Sequence, residues 1–255
     1  MAVKLPTARL GYSALLSLDT GASTGSGFQL SHNLQKVLVT AKHVLFNRKD
    51  EIRCESLVIS FQTPKGQETD IEIIGIENIA DANIVFSVQN DLALILLAER
   101  ESLETPFEYK EYVNIYQNGN VDNAFIDSSE TRLLDQIGVG NDVFLLGYPT
   151  SLFFQSVKHF DIRKPLLRKG IIAGLNVGDN TFIIDCPAYY GNSGAPVIEV
   201  CEDDSFKVVG LVSRYVPFVV EWKNSRESVT NTEYLNSGYS VCVPMDVVYD
   251  LIDQL

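Results

Sequence analysis

Three side chains of the kinds needed to activate a hydroxyl nucleophile stand in separate, well-framed blocks of the chain. Ser193 lies in Gly191-Asn192-Ser193-Gly194-Ala195-Pro196-Val197, His43 in Val39-Thr40-Ala41-Lys42-His43-Val44, and Asp91 heads Asp91-Leu92-Ala93-Leu94-Ile95. An unassisted serine hydroxyl is a poor nucleophile at neutral pH and needs a base. A histidine takes the proton and returns it to the leaving group. A carboxylate fixes the histidine tautomer and steadies the imidazolium. Asp81 is a weaker choice of acid, because no comparable apolar block follows it. Of the other histidines, His32 in Ser-His-Asn reads as a loop residue and His159 as a surface residue.

A second chemistry competes. Asp19-Thr20-Gly21 resembles the active-site tripeptide of aspartic proteases. That mechanism needs two carboxylates sharing one proton, and the chain has no second Asp-Thr/Ser-Gly. Asp-Thr-Gly-Ala-Ser-Thr-Gly is also good hairpin-loop composition. An enzyme built on Asp19 would be acid-active, whereas the serine–histidine reading predicts neutral-to-alkaline activity.

The elements that must position these residues read mostly as strands. Tyr12, Ala14, Leu16 and Leu18 alternate with polar residues, and similar short apolar runs recur at 37–39, 57–61, 71–76, 92–97, 143–146, 170–175, 182–185, 196–200, 208–213 and 239–243. Gly, Asn, Asp and Pro clusters separate them, which predicts an all-β protein. The C-terminus is the exception: after Pro244, residues Val247, Val248, Leu251, Ile252 and Leu255 fall at helical spacing, predicting a helix over 244–254. The stretch from Glu104 to Glu130 is polar and reads as a connection between halves. Glu221 to Ser237 reads as a long surface loop. The organisation expected is an N-terminal barrel over 1–110, a connection over 111–130, and a C-terminal barrel with its helix over 131–255.

Composition excludes several function classes. The chain has 255 residues, with 33 acidic against 20 basic side chains and a net charge of −13. Such a surface repels phosphate backbones, which argues against nucleic-acid binding. No apolar run approaches the roughly 20 residues of a membrane-spanning helix. Met1 to Leu10 lacks the apolar core of a signal peptide. The four cysteines, Cys54, Cys186, Cys201 and Cys242, lie far apart without a C-x-x-C pair, which disfavours zinc and a disulfide framework. Buried thiols would suit a reducing, cytoplasmic compartment.

Taken in order, Thr24-Gly25-Ser26-Gly27-Phe28, the His43 block, the Asp91 block, Val143–Pro149, the Ser193 block and Gly210-Leu211-Val212-Ser213 resemble the trypsin-like serine peptidases. The likeness runs from about Gly11 to Leu255 and is greatest to the bacterial high-temperature-requirement branch. His43 and Asp91 are 48 residues apart, and Asp91 and Ser193 are 102 apart. That leaves room for half a barrel and then most of a second, and the His, Asp, Ser order is that of the chymotrypsin arrangement. The resemblance implies two antiparallel Greek-key β-barrels with a C-terminal helix, a polypeptide substrate and no metal or organic cofactor. It places the oxyanion hole on the backbone N–H groups of Gly191 and Ser193, the floor of the specificity pocket at Pro187, and the substrate-pairing strand at Ser213, Arg214 and Tyr215.

Several positions depart from the family pattern. Ala195 replaces a second glycine. Asn192 replaces the aspartate of secreted members, which implies no activation by N-terminal insertion. Val44 stands where many secreted members have cysteine. Tyr189, Tyr190 and Tyr215 would crowd the pocket mouth, Asp185 lies near its floor, and Arg214 would suit an acidic substrate side chain. The rival reading is a catalytically silent or latent domain of the same fold that binds or senses proteins. A further one is a peptidase dedicated to a single protein. The chain ends after the C-terminal helix, so no PDZ-type domain is expected to follow.

Overall fold

Apolar runs in this chain are of two kinds, and the difference sets the architecture. In the computed structural model, which describes all residues except 1–3, 22, 63–67, 117–124, 151–160, 225 and 227–228, the described residues form sixteen strands and two helices. The N-terminal half holds β1 (Ala14–Leu18), β2 (Ser23–His32), β3 (Gln35–Ala41), helix α1 (Lys42–Leu45), β4 (Ser56–Gln62), β5 (Glu68–Ile74), β6 (Ile84–Ser87), β7 (Leu92–Glu99), β8 (Glu108–Tyr109), β9 (Val113–Tyr116) and β10 (Phe125–Asp127). The C-terminal half holds β11 (Asp142–Gly147), β12 (Leu166–Asn176), β13 (Thr181–Asp185), β14 (Pro196–Val200), β15 (Phe206–Asn224), β16 (Val229–Pro244) and helix α2 (Met245–Ile252).

The first half is a curled ten-stranded sheet in the order β6-β7-β3-β2-β1-β4-β5-β9, with β8 on β7 and β10 beside β2 in parallel. The second is a closed barrel, β11-β12-β13-β16-β15-β14. Neighbouring strands in both are otherwise antiparallel, and register shifts at Lys36/Val37, Ile172/Gly174 and Val197/Ile198 bend the sheets. The two-barrel, all-β expectation with a terminal helix holds. The stretch expected as a connection also supplies strands: β9 pairs with β5 and β10 with β2.

Strands with one buried face alternate, as in β5. Strands near the seam are buried on both. In β7, Ala93, Ile95 and Leu97 point into the first core, while Leu92, Leu94 and Leu96 join a second core between the two halves. That interbarrel core also takes Phe28 and Val39 from the first half, Phe144, Ile198 and Leu211 from the second, and Val247, Val248, Leu251 and Ile252 from α2. Two-sided burial is why β7 reads as an unbroken apolar run. Each such side chain contributes roughly 1.5–3 kcal/mol relative to exposure. The helix forms where the stripe predicted it, capped at Pro244, and the Asp246 carboxylate accepts the Leu134 N–H at 2.7 Å.

One expectation is corrected. Residues 221–224 and 229–237 lie in strands: Glu221 pairs with Thr232 and Trp222 with Asn231, continuing the Phe218–Leu235 pairing of a long β15–β16 ribbon. Both faces of this ribbon meet solvent, so its polar residues do not mark a break in the strands. The β-branched and aromatic residues of Val216–Trp222 and Val229–Tyr234 carry its strand preference.

Candidate active site

His43 and Asp91 meet because β3 and β7 are neighbours. The register pairs Ala41 with Leu92, so the residues just beyond those two strand ends face each other despite their distance in sequence. The Lys42 N–H donates to the Asp91 carbonyl at 3.0 Å. The His43 N–H donates to Asp91 Oδ1 at 3.1 Å, and its ring Nδ1 lies 2.8 Å from Oδ2 and 3.0 Å from Oδ1. Asp91 adopts φ +52°, a left-handed conformation that aspartate tolerates better than most residues and that turns its carboxylate back toward α1. With Nδ1–H committed to the carboxylate, the neutral ring keeps its lone pair on Nε2.

The second barrel completes the acid's surroundings. The Ser213 hydroxyl, on β15, donates to Asp91 Oδ2 at 2.6 Å. Burial pushes the Asp91 carboxyl up, but the hydrogen bonds and charge of His43 and the Ser213 hydroxyl outweigh it. The net result is a carboxyl below the usual aspartate range. Ser213 was expected on the substrate-pairing strand. It lies on β15, and its side chain is turned to Asp91.

Ser193 sits in a turn held on three sides. Within the loop, the Asn192 side chain accepts the Tyr189 N–H at 3.0 Å and the Asn192 N–H donates to the Tyr189 carbonyl at 2.8 Å. Toward the second barrel, the Gly194 N–H donates to the Val212 carbonyl at 2.7 Å. Toward the first, the Ser26 N–H donates to the Ser193 carbonyl at 2.9 Å. Gly191 takes φ +96°, and a Cβ there would stand 2.3 Å from the Tyr148 carbonyl oxygen. Gly194 takes φ +85°, and its Cβ would stand 2.4 Å from Thr40 Oγ1 and 3.0 Å from the Ala41 nitrogen. The Ser193 loop therefore lies directly on the end of β3, two residues before His43. No backbone carbonyl among the described residues accepts the N–H of Gly191 or Ser193.

The expected pocket residues are distributed unevenly. Pro187 is half-buried, and the segment beside it is pinned by Ser240, whose hydroxyl donates to the Cys186 carbonyl at 2.7 Å and accepts the Ala188 N–H at 3.0 Å. Tyr190 is exposed and packs edge-to-face on Tyr215, with ring centroids 6.1 Å apart, and a hydrogen bond with Tyr190 raises the Tyr215 phenol. Tyr189 lies under the Arg168 guanidinium at 4.4 Å. Arg214 is exposed on β15, and Asp185 is exposed at the end of β13, opposite Tyr239.

The remaining sequence candidates have other roles. Asp19 Oδ1 accepts the N–H groups of Glu55 and Ser56 at 2.9 and 3.1 Å, a turn-closing function. His32 ends β2 rather than lying in a loop, its ring packed at a tilt against Tyr249 with centroids 4.6 Å apart. Asp81 is an exposed turn residue. His159 is outside the described residues. Burial pushes the Cys54 and Cys186 thiols up to about 11, away from thiolate chemistry. Val44 is buried against Gly25, where a glycine Cβ would come within 2.6 Å of its side chain.

Ser26, in the Thr24–Phe28 block, carries a role that its sequence context does not announce. Its hydroxyl is fully buried, donates to the Gly191 carbonyl at 2.6 Å and accepts the Tyr148 N–H at 3.0 Å. Ser26 thus clasps the Ser193 loop to β2 with both its backbone and its side chain. The only sequence signal was a small polar residue between two glycines. Ser26→Ala strands a buried N–H and a buried carbonyl. We expect a loss of about 1–3 kcal/mol in chemical unfolding. If the loop then shifts by about 1 Å, kcat falls roughly 10²-fold. Unchanged kcat would show that the backbone bond alone holds the loop.

Known proteins bear on this arrangement. Among curated proteins, none matches the chain. Among solved structures, the serine endoprotease from Yersinia pestis aligns with a TM-score of 0.55 at 15% identity, covering 100% of this chain and 67% of that one. The HtrA-type protease AlgW, solved with a tripeptide, gives 0.53 at 16% identity over 97% of this chain and 62% of that one. Deg5 gives 0.53 at 17% identity over 95% and 88%. This chain thus spans between 62% and 67% of the length of the first two. At these identities the likeness is one of fold. The trypsin-like peptidase domain profile matches residues 25–211, which hold His43, Asp91, Ser193 and the strands that carry them. The chain belongs to the trypsin-like peptidase domain family.

Proposed function

We propose that the chain hydrolyses peptide bonds through an acyl-enzyme, with Ser193 as nucleophile, His43 as general base and acid, and Asp91 as the residue that orients His43. The observation that carries this reading is the Asp91 carboxylate held at once by the His43 ring, the His43 N–H and the Ser213 hydroxyl. Such an acid cannot rotate away, so the imidazole presents Nε2 in one orientation.

These three residues supply the steps of acyl transfer. Ser193 Oγ attacks the scissile carbonyl while His43 Nε2 takes its proton. The N–H groups of Gly191 and Ser193 face the oxyanion that forms. Collapse breaks the C–N bond, and His43 passes its proton to the departing amine. Water then attacks the Ser193 ester, deprotonated by the same imidazole, and releases the acid product. Asp91 stays ionised throughout, which its lowered carboxyl favours. Each oxyanion donor is worth about 10²–10³ in rate.

A fluorophosphonate probe at pH 8 tests the reading without a known substrate. We expect stoichiometric labelling of the wild type and none in Ser193→Ala. A well-folded wild type that does not label would favour the catalytically silent form of the fold.

A further inference from the structure

The β15–β16 ribbon begins where the substrate would end. Up to Leu211, β15 lies between β14 and β16; beyond it, among the described residues, only β16 pairs with β15. The Gly194 and Ala195 backbone covers Val212. From Ser213 to Lys223 the other edge of β15 is therefore open. It starts beside the Ser193 loop and runs outward for about eleven residues, close to 35 Å at strand rise. A register shift at Tyr215/Pro217 interrupts it once, where proline offers no N–H.

This ribbon also carries apolar surface without a core beneath it. Cross-strand partners share a face, so Phe218, Leu235, Val220 and Trp222 lie on one side, with Val219 and Tyr234 on the other. Phe218, Trp222 and Tyr234 are each at least 60% exposed, Val219 and Leu235 48%. Two-stranded ribbons are marginal in water on their own, and clustered exposed apolar side chains of this kind mark binding surfaces.

We propose that the open edge of β15 and the Phe218/Leu235/Trp222 face form an extended exosite for the substrate itself: an apolar stretch of polypeptide, in extended conformation, on the N-terminal side of the cleaved bond. This rests on the serine-peptidase reading, because Ser193 at the inner end of the edge makes the occupant a substrate. The argument for this occupant is continuity. A strand added antiparallel to Ser213–Tyr215 runs its upstream residues toward Lys223, along an edge broken only at Pro217. One residue per residue, apolar side chains roughly six to ten positions before the cleavage point meet Phe218 through Trp222. Such an occupant favours unfolded or displaced chains over folded ones, since only those offer about ten consecutive extended residues.

Trp222 is the only tryptophan in the chain, so its emission reports on this surface directly. The test uses Trp-free synthetic peptide pools of about sixteen residues, with the upstream half either apolar (Leu, Val, Phe) or polar (Ser, Asn), and pools of about eight residues lacking that half. In Ser193→Ala, Trp222 emission should shift to the blue with the apolar pool and stay put with the polar and short pools. In the wild type, kcat/KM for the apolar long pool should exceed that for the short pool about tenfold, through KM. Phe218→Thr/Trp222→Thr keeps strand-forming residues and should remove that advantage while leaving short-pool turnover unchanged.

Equal cleavage of long and short pools with no shift of Trp222 would overturn the exosite and leave the peptidase reading intact. A blue shift with the apolar pool in a protein that labels with no fluorophosphonate would support the binding surface and overturn the catalytic reading. A blue shift that grows with protein concentration in the absence of peptide would overturn the proposal in favour of a second copy of this chain.

Discussion

Ser193→Ala is expected to abolish measurable turnover, lowering kcat by about 10⁶ with KM little changed. The missing hydroxyl removes the attacking atom, while the loop that presents it stays tied by Ser26, Asn192 and Gly194 backbone bonds that do not involve the side chain. What remains is the residual catalysis of the oxyanion donors and binding, about 10³–10⁴ over water. Adding His43→Ala to this variant should cost almost nothing more, because base and nucleophile act as one unit. Steady-state rates of the two single variants and the double variant on one peptide substrate provide the check. A large further drop in the double variant would mean that His43 acts on something other than Ser193. Activity that survives Ser193→Ala would direct attention to another nucleophile, although the buried thiols at Cys54 and Cys186 are poor candidates.

Asp91→Asn carries the second-largest expectation, a fall in kcat of about 10⁴. The replacement keeps the shape but puts an amide where two acceptor oxygens now take bonds from the His43 ring, the His43 N–H and Ser213. An asparagine NH₂ facing Nδ1 selects the opposite tautomer and leaves a proton on Nε2, where the base must have none. The same residue makes stability depend on pH. Its native carboxyl is lowered, so the ionised form binds more strongly in the folded chain. That contribution is fully present above the ordinary aspartate value, about 3.9, and is lost as pH falls through the lowered native value. Denaturant unfolding should therefore show wild type and Asp91→Asn well separated at neutral pH and converging below about pH 4. Parallel curves at all pH values would mean that the carboxylate contributes no net charge interaction to the fold.

The two kinds of β-strand explain what was legible before any coordinates. Where one face is buried and the other wet, as in β5, alternation announces the strand. Where both faces are buried, as in β7, an unbroken apolar run between turn residues announces it equally well. The outer ribbon of β15 and β16 has neither pattern, since among the described residues both its faces are largely exposed, and it reads as a loop. Helix α2 was legible because its apolar stripe meets a single core. At the site, residue types, order and framing glycines could be read from the chain: a histidine after a strand end, an aspartate before one, and a serine between glycines at 191 and 194 that the turn's positive φ angles require.

Those features belong to the sequence because each depends on local chemistry: a side-chain type, a periodicity, or a backbone angle that glycine alone adopts without strain. The relations between them were decided only by the tertiary structure. The β3–β7 register brings Asp91 to His43, the seam between the halves turns Ser213 onto Asp91, and the buried Ser26 hydroxyl ties the Ser193 loop to the opposite half. These are contacts between residues separated by 48, 122 and 165 positions. No local pattern encodes such a contact, because the partner is chosen by which strands become neighbours when the shared apolar core closes.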